Sequence, residues 1–327
     1  MEKQAFVTGG SGHVGANLIR LLLYNGWKVR CLVHNDGRAF EGLSVELTKG
    51  SILDSSFLKQ QMEGCYAVFH AAAIVGIENV NADEMKRVNI RGTRAMCSAA
   101  LSSKVKRFIY FSSIHAFQQE PLDRKLTEKR VLVTDPKSPQ YDLTKAHAEN
   151  EVKKAYKAGL STVVLNPTGI LGPYDFKPSR MGQLLKNIMN QKMLLTINAG
   201  FNWVDVRDVC SAAIESVEKA TPGDNYILSG RWATFHDLAD MVSLKINKKT
   251  RWATLPFWSA YLFLPFAYLF SKILRRRPLF SKGSLHALAV QATPTNKKAK
   301  ECFGFKPRPL SETINDTIDW IIKNNVQ

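Results

Sequence analysis

Tyr141 and Lys145 stand four residues apart and follow Ser113 in a chain of 327 residues. Moving a hydride onto a carbonyl carbon needs a proton donor at the carbonyl oxygen and a neighbour that tunes the donor's acidity. A hydroxyl, a phenol and an ammonium supply those parts. A free phenol has a pKa of about 10, and an ammonium beside it favours the phenolate. Spacing of four puts Tyr141 and Lys145 on one helical face. Ser138 and Pro139 read as the start of that helix, which places the pair in its first turns.

The spacing decides little by itself, because Tyr24 with Lys28 and Tyr268 with Lys272 share it. Gly26 splits the first pair and predicts a helix end there. The third pair lies in a very apolar stretch that reads as core or membrane-facing. Only Tyr141 follows a strand-like run, Arg107 to Phe111, that delivers Ser112 and Ser113 to the carboxyl end of a sheet.

The elements that must position this group begin at the amino terminus. Lys3 to Val7 reads as a buried strand, Thr8 to Gly15 as a glycine-rich turn, and the residues through Tyr24 as an amphipathic helix. Glycines there let backbone amides approach a pyrophosphate at the helix start and let helix pack closely on strand. Further strands are predicted at 28–33, 45–48, 67–70, 107–111 and 162–165. Alternation of strand and helix predicts an α/β chain with a Rossmann-type, doubly wound parallel sheet and a smaller C-terminal substrate lobe. The dinucleotide-binding core spans 1–165. Asn202 to Asp205 and Asn225 to Leu228 are expected to return to its sheet, so that 202–228 rejoins the core. Residues 166–201 and 229–327 then form the substrate lobe.

The chain resembles the extended short-chain dehydrogenases/reductases, the NAD-dependent epimerase/dehydratase superfamily, from Val7 to about Trp320. Ser113, Tyr141 and Lys145 match its catalytic triad, with Ser112 the alternative serine. Thr8, Gly9, Gly12 and Gly15 match its cofactor turn, which also contains His13 and Val14. Ile52, Leu53 and Asp54 resemble the segment near the adenine. Ala71, Ala72 and Ala73, after His70, resemble the strand end beside the cofactor. Asn89 falls at the start of the central helix, and Asn166, Pro167 and Thr168 resemble the loop beside the nicotinamide. The Asn-Pro-Thr run is closest to the dihydroflavonol-reductase and 3β-hydroxysteroid-dehydrogenase-like branch. After the second strand, His34 stands where NADP-preferring relatives often carry an arginine. Arg38 could reach a 2'-phosphate, whereas Asp36 could bond a ribose hydroxyl. NADP is the expected cofactor and NAD the alternative. A homodimer through the helices containing Asn89 and Tyr141 is the family's habit.

Basic side chains number 45 against 28 acidic, a net charge of +17, and 13 of those charges fall in residues 241–310. Inside that stretch an uncharged aromatic run, Leu255 to Phe270, precedes Lys272 and Arg275 to Arg277. Apolar surface flanked by cations suits contact with an anionic membrane through 251–277. It equally suits an apolar helix roofing the substrate pocket. Pro256 and Pro265 argue against a span, and no nucleic-acid motif accompanies the charge. The cysteines at 31, 65, 97, 210 and 302 have no metal-ligand spacing, so no metal site is expected. The first strand leaves no room for a signal peptide, which predicts a cytoplasmic protein, with membrane association as the alternative.

The expected activity is NADP(H)-dependent reduction of a carbonyl, or oxidation of the alcohol, on a small lipophilic substrate. Tyr141 acts as acid/base, Lys145 depresses its pKa, and Ser113 orients the carbonyl oxygen. The alternatives are an epimerase or dehydratase of a nucleotide sugar that retains its NAD, and a non-catalytic cofactor-binding or membrane-docking module. An acyl-transfer use of Ser113 lacks the Gly-x-Ser-x-Gly elbow.

Overall fold

The computed structural model describes residues 3–33, 37–76, 81–191, 195–248, 252–262, 264–265, 285 and 288–324. Strands β1 (Gln4–Thr8), β2 (Lys28–Val33), β3 (Glu46–Lys49), β4 (Ala67–His70), β5 (Arg107–Phe111) and β6 (Thr162–Pro167) join one parallel sheet. With β10 (Asn225–Leu228) its order is β10-β6-β5-β4-β1-β2-β3. The order reverses between β1 and β4, which opens a crevice at their carboxyl ends.

Alternation along the strands sends side chains to two cores. Ala5, Val7, Phe69, Ile109 and Phe111 pack on one face with α1 (His13–Tyr24) and α7 (Val206–Lys219). Phe6, Val68, Phe108, Tyr110 and Val164 pack on the other with α2 (Ser55–Met62), α4 (Thr93–Ser102) and α5 (Gln140–Lys157). Period two in the strands and burial on both sides are what a doubly covered parallel sheet requires. Each fully buried Phe or Leu side chain contributes about 1.5–3 kcal/mol to holding it.

Two smaller sheets lie outside this one. β9 (Gly200–Asp205) runs parallel to β7 (Gly169–Leu171) and antiparallel to β11 (Arg231–Thr234). β8 (Leu195–Ile197) pairs with β12 (Ala253–Leu255). Asn202 to Asp205 therefore does not return to the central sheet. The free edge of β6 is taken by Asn225 to Leu228, and Trp203 is fixed to β11 by a bond from Nε1 to the Ala233 carbonyl at 2.9 Å. A third core, containing Leu185, Trp203, Leu238, Ile314 and Ile318, joins α6 (Arg180–Met189), α8 (Phe235–Lys245) and α10 (Leu310–Lys323). Helix α9 (Lys297–Phe303) packs back on the central sheet. The short α3 (Ala82–Lys86) leads into a π-helical turn, Arg87–Gly92, ahead of α4.

Candidate active site

Tyr24 closes α1 and Gly26 follows with φ 76°, so Lys28 starts β2 and never shares a face with that tyrosine. Tyr268 and Lys272 lie outside the described residues. Tyr141 and Lys145 sit in the first two turns of α5, whose N-cap is Pro139. Ser113 leaves the end of β5 with extended backbone and caps a short helical turn, Ile114–Ala116. The Ser113 hydroxyl lies close enough to the Tyr141 phenol to favour its ionised form. Lys145, 4% exposed, donates from Nζ to the Phe111 carbonyl at 2.8 Å and toward the Tyr110 hydroxyl at 3.5 Å.

Burial dominates the electrostatics. It pushes the Tyr141 phenol up to about 12, with the nearby Ser113 hydroxyl pulling the other way. It pulls Lys145 down to about 8, opposed by the charge of Glu149. The Asp142 charge adds to the rise of the phenol, and Lys145 aims its Nζ at the main chain of β5. Burial also raises the Asp142 carboxyl to about 7 and lowers His115 to about 4. His115 meets Ser113 through its backbone, donating N–H to the serine Oγ at 3.2 Å.

The glycine turn lies at the end of β1, beside the end of β4. Gly9 has φ 74° and a Cβ there would come within 2.7 Å of the Ala71 and Ala72 backbone. A Cβ on Gly15 would collide with the Gly9 carbonyl and the Gly10 main chain. Gly12 is the N-cap of α1, so the first amides of that helix face the crevice. A cradle with no room for a Cβ, at a helix start, fits a dinucleotide pyrophosphate.

Several side chains expected at the cofactor have partners within the protein. Thr8 is fully buried and its hydroxyl serves His70. Thr93 gives its hydrogen to the Asn89 carbonyl at 2.7 Å, so it accepts from His70 Nε2 at 3.1 Å. His70 Nδ1 therefore accepts from the Thr8 hydroxyl at 2.7 Å, and the Thr8 oxygen receives the Ala72 N–H at 3.3 Å. This chain ties turn, strand end and π-helix together, and burial holds His70 neutral, at about 3.

His13 shares its Nε2 between the Gly172 and Pro173 carbonyls, at 3.0 and 3.1 Å. Asn89 clamps the Ile74 backbone and reaches Thr144, whose hydroxyl donates to the Tyr141 carbonyl. Asn166 is fully buried and points its amide at Ser113 O and Glu149. Pro167 ends β6, and Thr168 donates to Asn202 Oδ1 at 3.1 Å.

Ile52 packs over Gly92 beside Leu53, and Asp54 caps α2 by accepting from Phe57 N at 3.0 Å. Ala71, Ala72 and Ala73 follow the end of β4, the first two with their backbone against Gly9, and Val14 follows His13 in α1. Arg38 is exposed in the short turn Arg38–Phe40, whereas His34 and Asp36 lie outside the described residues. In the long loop after Ser113, Glu128 accepts from Ile227 N at 2.9 Å and pins the loop to β10. Glu149, Asn225 and His70 were not singled out from the sequence as site residues. Glu149 carried a signal, since it repeats the four-residue spacing of Tyr141 and Lys145. Among the described residues no group of His, Cys, Asp or Glu is placed to hold a metal ion.

Comparison with known proteins agrees with this geometry. The profile of the NAD dependent epimerase/dehydratase family matches residues 5–228. Sterol demethylase protein B of Methylococcus capsulatus is 29% identical over 318 residues, 96% of this chain and 97% of that protein. The 4-hydroxy-2-methyl-3-oxo-4-farnesyl-3,4-dihydroquinoline-1-oxide ketoreductase of Stigmatella aurantiaca is 31% identical over 240 residues, 69% of this chain and 68% of its own. The crystal structure of gox2253 superposes with a TM-score of 0.86 at 27% identity, covering all of both chains.

Proposed function

Because the chain belongs to the NAD dependent epimerase/dehydratase family of extended short-chain dehydrogenases/reductases, we propose that it is an NADP(H)-dependent reductase of a lipophilic carbonyl compound. The observation that carries this reading is the Ser113 hydroxyl beside the Tyr141 phenol at the carboxyl end of β5, with Lys145 buried one turn beyond. A bound NADP(H) supplies the hydride. Gly9, Gly12 and Gly15 hold its pyrophosphate, and Arg38 meets the 2'-phosphate. Ser113 donates a hydrogen bond to the substrate carbonyl oxygen and orients it. Tyr141, a protonated phenol, gives its proton to that oxygen as negative charge develops there. Lys145 keeps a positive charge below the site and presents it to the cofactor ribose.

The apolar character of the substrate is supported by relatives named for a sterol and a farnesylated ketone. It is also supported by exposed Trp258, Tyr261 and Leu262, which precede the basic run at Lys272 and Arg275 to Arg277. These side chains would rest on an anionic membrane from which the substrate is drawn. No helix among the described residues is long and apolar enough to cross a membrane. A homodimer through the helices containing Asn89 and Tyr141 completes the proposal. The test is NADPH and NADH oxidation across a panel of steroid, isoprenoid and aryl carbonyls, with Tyr141→Phe as control. Turnover of none of them, or equal turnover by the variant, would sink it.

A further inference from the structure

Glu149 lies one turn beyond Lys145 on α5 and is completely buried. Asn166 donates to its Oε1 at 2.6 Å and Asn225 to its Oε2 at 2.8 Å. The same Asn166 amide donates to the backbone carbonyl of Ser113 at 3.1 Å, and Asn225 also reaches Asn166 Oδ1 at 3.3 Å. Both partners of Asn166 Nδ2 are acceptors, so the amide can stand only one way round. Burying a carboxyl group is costly unless its bonds are made, and here each oxygen receives an amide N–H. The network joins α5, β6 and β10 and ends on the residue whose hydroxyl meets Tyr141.

We propose that Glu149 is a positioning residue: through Asn166 it fixes the Ser113 carbonyl, and so aims the Ser113 hydroxyl at the Tyr141 phenol. The proposal rests on the catalytic reading of Ser113 given above. A glutamine at 149 keeps the shape but offers one acceptor and one donor to two incoming amides. One asparagine must then release its bond, and Ser113 loses its anchor.

The test is a double-mutant cycle in the full chain, using NADPH oxidation with trans-cinnamaldehyde as the probe. Glu149→Gln is expected to slow the reaction at least about tenfold in the wild-type background and less than about twofold in Ser113→Ala, with NADPH affinity unchanged. Equal losses in both backgrounds, or no loss in the first, overturn the proposal. A residue that merely stabilises the fold would give equal losses.

A readout free of turnover is amide exchange at Ala116, which donates to the same Ser113 carbonyl at 3.1 Å. Glu149→Gln should speed it, whereas unchanged exchange overturns the proposal. If Ser113→Ala is as active as wild type, the catalytic reading fails, and the exchange result alone decides whether Glu149 holds Ser113. If Glu149→Gln does not fold, Asn166→Ala breaks the same bridge and must reproduce both patterns.

Discussion

Asn89 grips Ile74 by both main-chain groups, accepting its N–H at Oδ1 over 2.8 Å and donating from Nδ2 to its carbonyl over 3.0 Å. The π-helical turn Arg87–Gly92 carries this side chain, and such turns recur at functional sites. The clamp fixes the segment after Ala71 to Ala73 against the crevice. Asn89→Ala is expected to cost about 1–3 kcal/mol of local order. NADPH affinity should fall about tenfold with a smaller change in kcat, measured by fluorescence titration beside steady-state kinetics.

Tyr141→Phe removes the proton donor and leaves the glycine turn intact. The rate of carbonyl reduction should fall about 10²- to 10⁴-fold, with cofactor affinity held. Titration and single-turnover measurements on one preparation separate the two effects.

Burial holds the phenol at about 12, so Tyr141 is protonated across the neutral range. Reduction, which needs the acid form, should be flat with pH there. Alcohol oxidation needs the phenolate and should accelerate as pH rises. Initial rates in both directions against pH check the sign.

His70 lies at about 3 in the fold, against about 6.5 in an unfolded chain. Between those values the unfolded chain holds more protons, so stability is full above the higher one and falls as pH drops through the gap. The loss by about pH 4.5 should be about 2–3 kcal/mol from this group. Urea midpoints against pH, for wild type and His70→Gln, isolate it.

Much of this is legible in the sequence. Strand-length apolar runs, Gly26 and the Ser-Tyr-Lys spacing carry local signals, and local signals place elements. Asn202 to Asp205 misled because an apolar strand does not say which sheet it joins. That choice depended on Asn225 to Leu228 taking the β6 edge, a contact between distant segments. The side-chain partners of Thr8, His13 and Asn166 are hidden in the sequence for a related reason. Each sits in a cofactor-type segment, yet its side chain serves a partner far along the chain: His70, Pro173 and Glu149. Polar side chains at a crevice either face it or brace it, and only the packed neighbours decide.

The most direct test is to denature freshly purified protein and identify any nicotinamide released. The account expects little retained cofactor, and reversible binding of added NADPH in preference to NADH. Stoichiometric NAD carried through purification would contradict it, pointing to an epimerase or dehydratase that recycles its cofactor in place.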